Sequence, residues 1–316
     1  MPKPALLVTR RIPASVLARL EPVCDIDLYT GDAAIPRGEL LERVRGKQAL
    51  MCLLTDRIDR ELLEAGRDLR IVANIAVGYN NVDVASAAGR GIIVTNTPDV
   101  LTESVADFTW ALILALTRRV SEGERVVRSG TWKGWALDFM LGTDVRGKQL
   151  GLIGMGRIAR AVAARAPAFG MRVAYADEQA VSVPGAEAMS LDRLLTTSDV
   201  VSLHVPLTDG TRHLIDRRAL TRMKRSAYLI NTARGPVVDE EALAWALGQH
   251  LIAGAALDVY ENEPAIQPAL MTMEHVLLVP HLGSATTETR TAMADLAASN
   301  VLAVLAGKPA LTAVPA

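Results

Sequence analysis

Four apolar runs in the second half of the chain end on residues that can carry chemistry: His204 in SLHVP, Arg234 in NTARG, Asp258 in ALDVY and His281 in VPHLGS. If these runs are parallel strands of one sheet, their carboxyl ends gather along one edge, where open α/β sheets bind ligands. A lone arginine is by default a solvated surface residue. At a strand end, however, the Arg234 guanidinium offers paired donors that match a carboxylate, or that span a carboxylate and an adjacent carbonyl. That is the recognition a 2-oxo acid requires, and Gly235 and Pro236 would turn the chain so that Arg234 is left facing the ligand. Reducing the carbonyl also needs a proton for the developing alkoxide, a task suited to histidine.

The five histidines are unequal candidates. His281 is followed by Gly283 and Ser284, which read as a flexible turn, and it suits the acid role; a core histidine is the alternative. His204 suits a wall of an adenosine pocket, His213 could go either way, and His250 and His275 read as surface residues on the opposite edge. Glu263 in ENEP could hold the imidazole by a hydrogen bond and keep its acid form available near neutral pH. Its bland reading is an exposed acidic turn, since Glu261 lies two residues away.

A second cluster precedes these strand ends. Gly154-Met155-Gly156-Arg157-Ile158-Ala159 follows the run QLGLI and leads into RIARAVAARA, with small and apolar residues at helical spacing. The pattern G-x-G-x-x-G/A is weak alone, but between a strand and a helix it reads as a dinucleotide fingerprint. Gly154 would make the tight turn, Gly156 would let amides at the helix start approach a pyrophosphate, and Ala159 would pack closely. The next run, RVAYAD, ends on Asp177, placed to accept hydrogen bonds from the adenosine ribose. With Glu178 beside it, a 2'-phosphate would meet negative charge, which favours NAD over NADP.

The elements that must position these residues are βα units. Short apolar runs alternate with helical patterns along the whole chain, as parallel sheets covered on both faces require. One series runs from ALLVT to IIVTN, and a second from QLGLIG to HVLLVP; the Gly- and Trp-rich stretch SGTWKGWALDFMLGTDVRGK lies between them. At 316 residues two cores are expected. The expected class is α/β, with two Rossmann-like doubly wound parallel-sheet domains. Basic and acidic residues number 34 and 35, for a net charge of −1, which gives no surplus for nucleic acid or an anionic membrane. FTWALILALT is too short to span a bilayer, and the N-terminus carries no leader pattern. Two cysteines are too few for a disulfide framework or a four-ligand metal site, and a reducing cytoplasm fits.

The segments GLIGMGRIA, NTARGPVVDEEAL, AGAALDVYENEP and VPHLGSAT resemble the signature segments of the D-isomer-specific 2-hydroxyacid dehydrogenases, over nearly the whole chain. Within that family LLTDRID, GTWKGWALDFMLGTDVRGKQLG and SLHVPLT look most like glyoxylate/hydroxypyruvate reductases. The resemblance implies a flavodoxin-like substrate domain formed by residues 1–98 and 286–316, with the nucleotide domain, 99–285, inserted into it. It implies that Arg234 binds the substrate carboxylate and carbonyl, and that His281 with Glu263 is the acid/base pair. Thr102, Arg157, Ile158, His204, Pro206, Thr211, Thr232, Ala233, Asp258 and Ser284 would join Gly154, Gly156 and Asp177 at the cofactor, with Asp258 on the nicotinamide carboxamide. Leu54 and the amides of Val77 and Gly78 would meet the substrate. Ala76 and Asn80 depart from the usual Gly and Asp of the substrate loop, and Ala159 from the usual Gly; the substrate loop's shape is therefore open.

A homodimer is implied, with TWKGWALDF as an arm and Trp135 either closing the partner's site or packed in its own subunit. The expected reaction is NADH-dependent reduction of glyoxylate or hydroxypyruvate. The rivals are dehydrogenases of 3-phosphoglycerate, D-lactate, formate or phosphite, and an NADH-responsive corepressor-like binding protein. A phosphorylated substrate would want added cations, for which only Arg57 and Arg60 are plausible.

Overall fold

The structure is a computed structural model that describes residues 2–179 and 182–315. The chain divides into two compact units, Met1–Leu101 with Thr286–Ala316, and Thr102–Ala285. In the first, strands β1 (Ala5–Val8), β2 (Asp25–Leu28), β3 (Ala49–Cys52), β4 (Ile71–Asn74) and β5 (Ile93–Thr95) form a sheet of order β2-β1-β3-β4-β5. All its pairings are parallel. Every residue of β3 and β4 is buried, which is why these segments read as unbroken apolar runs without alternation. Helices α1 (Ala14–Leu20), α2 (Arg37–Arg43), α3 (Arg60–Ala65) and α4 (Val84–Ala88) connect the strands. Asp59 and Asp83 start α3 and α4 by accepting the Leu62 and Ser86 N–H groups, two of the donors that a helix start leaves without a backbone partner.

The second unit contains β6 (Gln149–Ile153), β7 (Arg172–Ala176), β8 (Ala186–Ala188), β9 (Val200–Leu203), β10 (Tyr228–Asn231), β11 (Gly254–Leu257) and β12 (Val276–Leu278). They pair in parallel in the order β12-β11-β10-β9-β6-β7-β8. From β6 the chain first moves to β7 and β8, then returns to β9 on the other side, so β6 ends at the point where the winding reverses. Ligands bind at such a point in open α/β sheets. The helices are α5 (Thr102–Thr117), α6 (Val120–Arg128), α7 (Arg157–Arg165), α8 (Leu191–Thr197), α9 (Arg217–Arg222), α10 (Glu240–Gly248) and α11 (Pro268–Met271).

Two apolar layers cover the faces of this sheet. Leu203, Leu229, Leu243 and Leu257 pack in one, and Leu152, Trp110, Val162 and Ile230 in the other. Each fully buried aliphatic chain contributes roughly 1.5–3 kcal/mol. The apolar segment FTWALILALT lies in α5, with Thr109, Trp110, Leu112, Ile113 and Leu116 buried. Among the described residues no helix is long and apolar enough to cross a membrane. The short strand β8 had no counterpart among the apolar runs, because two of its three residues are exposed. The last helix, α12 (Thr287–Leu305), packs on α1, β3 and β4 of the first unit.

Candidate active site

The fingerprint turn occupies the winding reversal. Gly154 has φ 87°, and a Cβ there would lie 2.7 Å from the His204 carbonyl oxygen. Only glycine satisfies both the left-handed backbone and the approach of the β9 exit. Gly156 caps α7 without any side-chain cap, and a Cβ there would meet nothing within 4 Å. The first amides of α7 therefore open onto unfilled space at the positive end of the helix dipole, as an anionic pyrophosphate requires. Ala159 is fully buried against the sheet. Asp177 accepts the Met155 N–H at 2.6 Å and the Gln179 N–H at 2.8 Å. Its carboxylate thus braces the turn from the end of β7, where a ribose would lie. These residues fit a dinucleotide.

The strand ends farther along the sheet converge on His281. Asp258, just past β11 and 1% exposed, accepts the Leu282 N–H at 2.5 Å and the Gly283 N–H at 2.9 Å. The His281 N–H donates to the Asp258 carbonyl at 3.0 Å. Burial raises the Asp258 carboxyl above its ordinary value, although both amide bonds and the nearby His281 oppose it. His281 itself has φ 53°, a conformation uncommon for a residue with a Cβ. The turn that read as flexible is instead tied down: Gly283 is buried, and its carbonyl accepts the Ser104 hydroxyl at 3.1 Å.

Held in this way, His281 places Nδ1 3.1 Å from Glu263 Oε2. The other oxygen, Oε1, accepts the Tyr260 N–H at 3.0 Å. Burial pushes the Glu263 carboxyl up, but the hydrogen bond to His281, the Tyr260 amide and the Arg234 charge outweigh it and hold the group below its ordinary value. Burial likewise pulls the Arg234 guanidinium down, while Glu263 acts against the shift; arginine stays cationic nonetheless. Asn231, at the end of β10, pins the Arg234 turn by donating to the Arg234 carbonyl at 2.9 Å and accepting the Ala233 N–H at 3.0 Å. Gly235 is required here for a reason other than turning. It lies outside the left-handed region, but a Cβ would fall 1.8 Å from the Tyr260 carbonyl carbon, so the Arg234 turn and the segment leading to Glu263 touch backbone to backbone.

The remaining sequence candidates have varied surroundings. Thr232 shares a hydrogen bond with Thr109 at 3.1 Å. Thr211 closes its own loop, its hydroxyl donating to the Pro206 carbonyl at 2.6 Å. Thr102 opens α5, Arg157 and Ile158 open α7, and Ser284 follows the tied turn. His204 pairs with Ser202 at 2.9 Å, and burial lowers its imidazole to about 4. Of the histidines read as surface residues, His250 is exposed, whereas His275 is half-buried with Nε2 enclosed; their rings lie 5.9 Å apart.

In the first unit, Leu54 follows β3 and is partly exposed. In the loop after β4, the carbonyls of Ala76, Val77 and Gly78 accept from Thr97 N, Asn96 Nδ2 and Asn74 Nδ2 at 2.9, 2.8 and 3.0 Å. Because a trans peptide sets its N–H opposite its carbonyl, the Val77 and Gly78 amides face away from those partners. Reading the sequence missed Asp258 as the anchor of the histidine turn. It also missed the pair His213 and Glu261, 2.6 Å apart, for which an acid in ENEP was the one available signal.

Residues 110–283 match the family model described as D-isomer specific 2-hydroxyacid dehydrogenase, NAD binding domain. A glyoxylate reductase from Korarchaeum cryptofilum is 50% identical over 313 residues, covering 97% of this chain and 94% of the relative. A crystal structure of a Thermus thermophilus protein superposes with TM-score 0.94 at 46% identity, covering 98% of this chain and 100% of the other. The NADPH-dependent glyoxylate/hydroxypyruvate reductase of Sinorhizobium meliloti, solved with NADP and malonate, gives TM-score 0.89 at 36% identity, with coverage of 99% and 97%. The chain belongs to the D-isomer specific 2-hydroxyacid dehydrogenases. Its second unit is accordingly a nicotinamide dinucleotide domain.

The lowered His204 has a measurable consequence. The unfolded chain takes up a proton near pH 6.5 that the folded protein refuses until about 4. Folding stability should therefore fall as pH drops through that window, by up to about 3 kcal/mol, an upper bound because part of the residue meets solvent. Urea denaturation of wild type and His204→Gln between pH 7 and 4 checks this: the wild type should lose more stability, and parallel curves would show the ring is not kept neutral.

Proposed function

We propose that the protein reduces glyoxylate or hydroxypyruvate to the corresponding 2-hydroxy acid, with D stereochemistry where a centre is formed, using NADH. The observation that carries this reading is the His281–Glu263 pair, 3.1 Å apart, on the same sheet edge as Arg234. Reduced nicotinamide supplies the hydride when bound. Arg234 binds the substrate carboxylate and carbonyl through its planar fork. Glu263 accepts a hydrogen bond from His281 Nδ1–H, so the proton delivered to the developing alkoxide leaves from Nε2. The carboxylate also fixes the orientation of the ring. Val77 and Gly78 are assigned to the substrate carboxylate through their amides, and Leu54 to the substrate's apolar side.

The relatives named glyoxylate reductase support this substrate class. Of the two cations that a phosphorylated acid would call on, Arg57 pairs with Asp59 at 3.0 Å, which weighs against that substrate. A panel of 2-oxo acids followed by NADH oxidation should show turnover greatest with glyoxylate or hydroxypyruvate. His281→Ala should lower kcat by about 100-fold or more while retaining NADH binding, and Arg234→Lys should raise KM through loss of the fork geometry. Wild-type kinetics in both variants would end the proposal.

NADH is preferred in this reading because the Asp177 carboxylate accepts ribose hydroxyls and repels a 2'-phosphate. Asp177→Ser, which keeps an acceptor for the Met155 amide, should raise kcat/KM for NADPH relative to NADH; an unchanged ratio would place cofactor selection elsewhere.

We also assign a homodimer. Among residues 132–141, Trp132, Trp135, Leu137, Phe139 and Leu141 are exposed, Trp135 to 82%, an apolar surface that water disfavours. Sedimentation should give twice the 33.8 kDa chain mass, and a monomer at micromolar concentration would refute the assignment.

A further inference from the structure

Glu240 takes no part in the reaction just described, yet it is only 5% exposed. It opens α10, six residues after Arg234. Its Oε1 accepts the Glu261 N–H at 2.6 Å, and its Oε2 accepts the Gln267 N–H at 3.2 Å. One carboxylate therefore ties both ends of segment 261–267, and Glu263 lies inside it. The contact is reciprocal, since the Glu240 N–H points to Glu261 Oε2 at 3.4 Å. Glu261 Oε1 also meets His213 Nε2 at 2.6 Å, while the His213 N–H donates to the Pro236 carbonyl at 2.8 Å. With the backbone contact at Gly235, these bonds lace the Arg234 turn to the Glu263 segment.

Burial pushes the Glu240 carboxyl up, its two amide bonds oppose this, and the charges of Glu261 and Glu263 reinforce it. A carboxylate is an unfavourable group to bury, and a helix start can be capped by Asp239 alone, which accepts the Ala242 N–H. What Glu240 adds is the hold on the neighbouring segment. The charged groups facing Glu263 are His281, Arg234, Asp258 and Glu240, so a shift of this segment changes the electrostatics of the whole acid pair.

We propose that Glu240 is a positioning residue whose carboxylate, clasped with Glu261, sets Glu263 against His281 Nδ1 and thereby tunes the proton-donating histidine. The inference rests on the reading of Glu263 and His281 as the acid pair. Kinetics with NADH and glyoxylate on Glu240→Gln, Glu263→Gln and the double variant test it. Glutamine offers one amide an acceptor and confronts the other with a donor. Glu240→Gln should lower kcat about tenfold through misplacement of Glu263, leave NADH binding by fluorescence unchanged, and move the basic limb of the kcat/KM profile to lower pH.

In the Glu263→Gln background the same change should cost less than about twofold. Glu240→Asp, which keeps the charge but shortens its reach to the Glu261 and Gln267 amides, should act in the same direction and carries the test if Glu240→Gln does not fold. Full kcat with an unmoved basic limb in the Glu240 variant, or an equal loss in both backgrounds, would overturn the proposal while leaving the acid pair intact. Wild-type behaviour of Glu263→Gln would instead overturn the acid pair, and the positioning role with it.

Discussion

The candidate site depends first on a buried carboxylate that receives two main-chain amides. Asp258 accepts from Leu282 and Gly283, and between these bonds and β12 the chain must pass through His281 in a left-handed conformation. That conformation costs a residue with a Cβ roughly 1–2 kcal/mol. Hydrogen bonds to a charged group contribute about 1.5–3 kcal/mol each, so the pair outweighs the strain. The histidine's backbone is consequently fixed by these bonds, and its ring meets Glu263 Oε2 through Nδ1.

Charge is distributed around this anchor so that neither acid stands alone. Asp258 is pushed towards its neutral form by burial, whereas Glu263 is held ionised by His281 and Arg234. Two carboxyl groups in one neighbourhood thus have opposite tendencies, set by burial in one case and by neighbouring cations in the other. The guanidinium of Arg234 acts on the second of these acids, since it lowers Glu263 while remaining cationic.

Much of the framework could be read from residue order. Strands buried on both faces show as apolar runs, and the glycines at 154 and 156 announce the turn after β6; β8 escaped because it is short and mostly exposed. Arg234, Glu263 and His281 could be named from strand ends and motif, but their separations could not. Asp258 was expected at a cofactor carboxamide; its carboxylate also receives two backbone N–H groups, which leave no trace in sequence. Glu240 stands beside Glu241 in a stretch where acids favour a helix start, so nothing in the order of residues distinguishes the buried member from the solvated one. Gly235 was read as a turn former, and close approach of another segment is equally invisible before folding.

That approach has a mechanical consequence. Where two peptide planes touch with no side chain between them, the contact position admits no Cβ, and a larger residue at 235 would force the two segments apart. The turn that carries the guanidinium and the segment that carries the acid paired with the imidazole are therefore mechanically joined. The distance between the Arg234 turn and the Glu263 segment is thus set by main-chain shape and not by any choice of side chain at their contact.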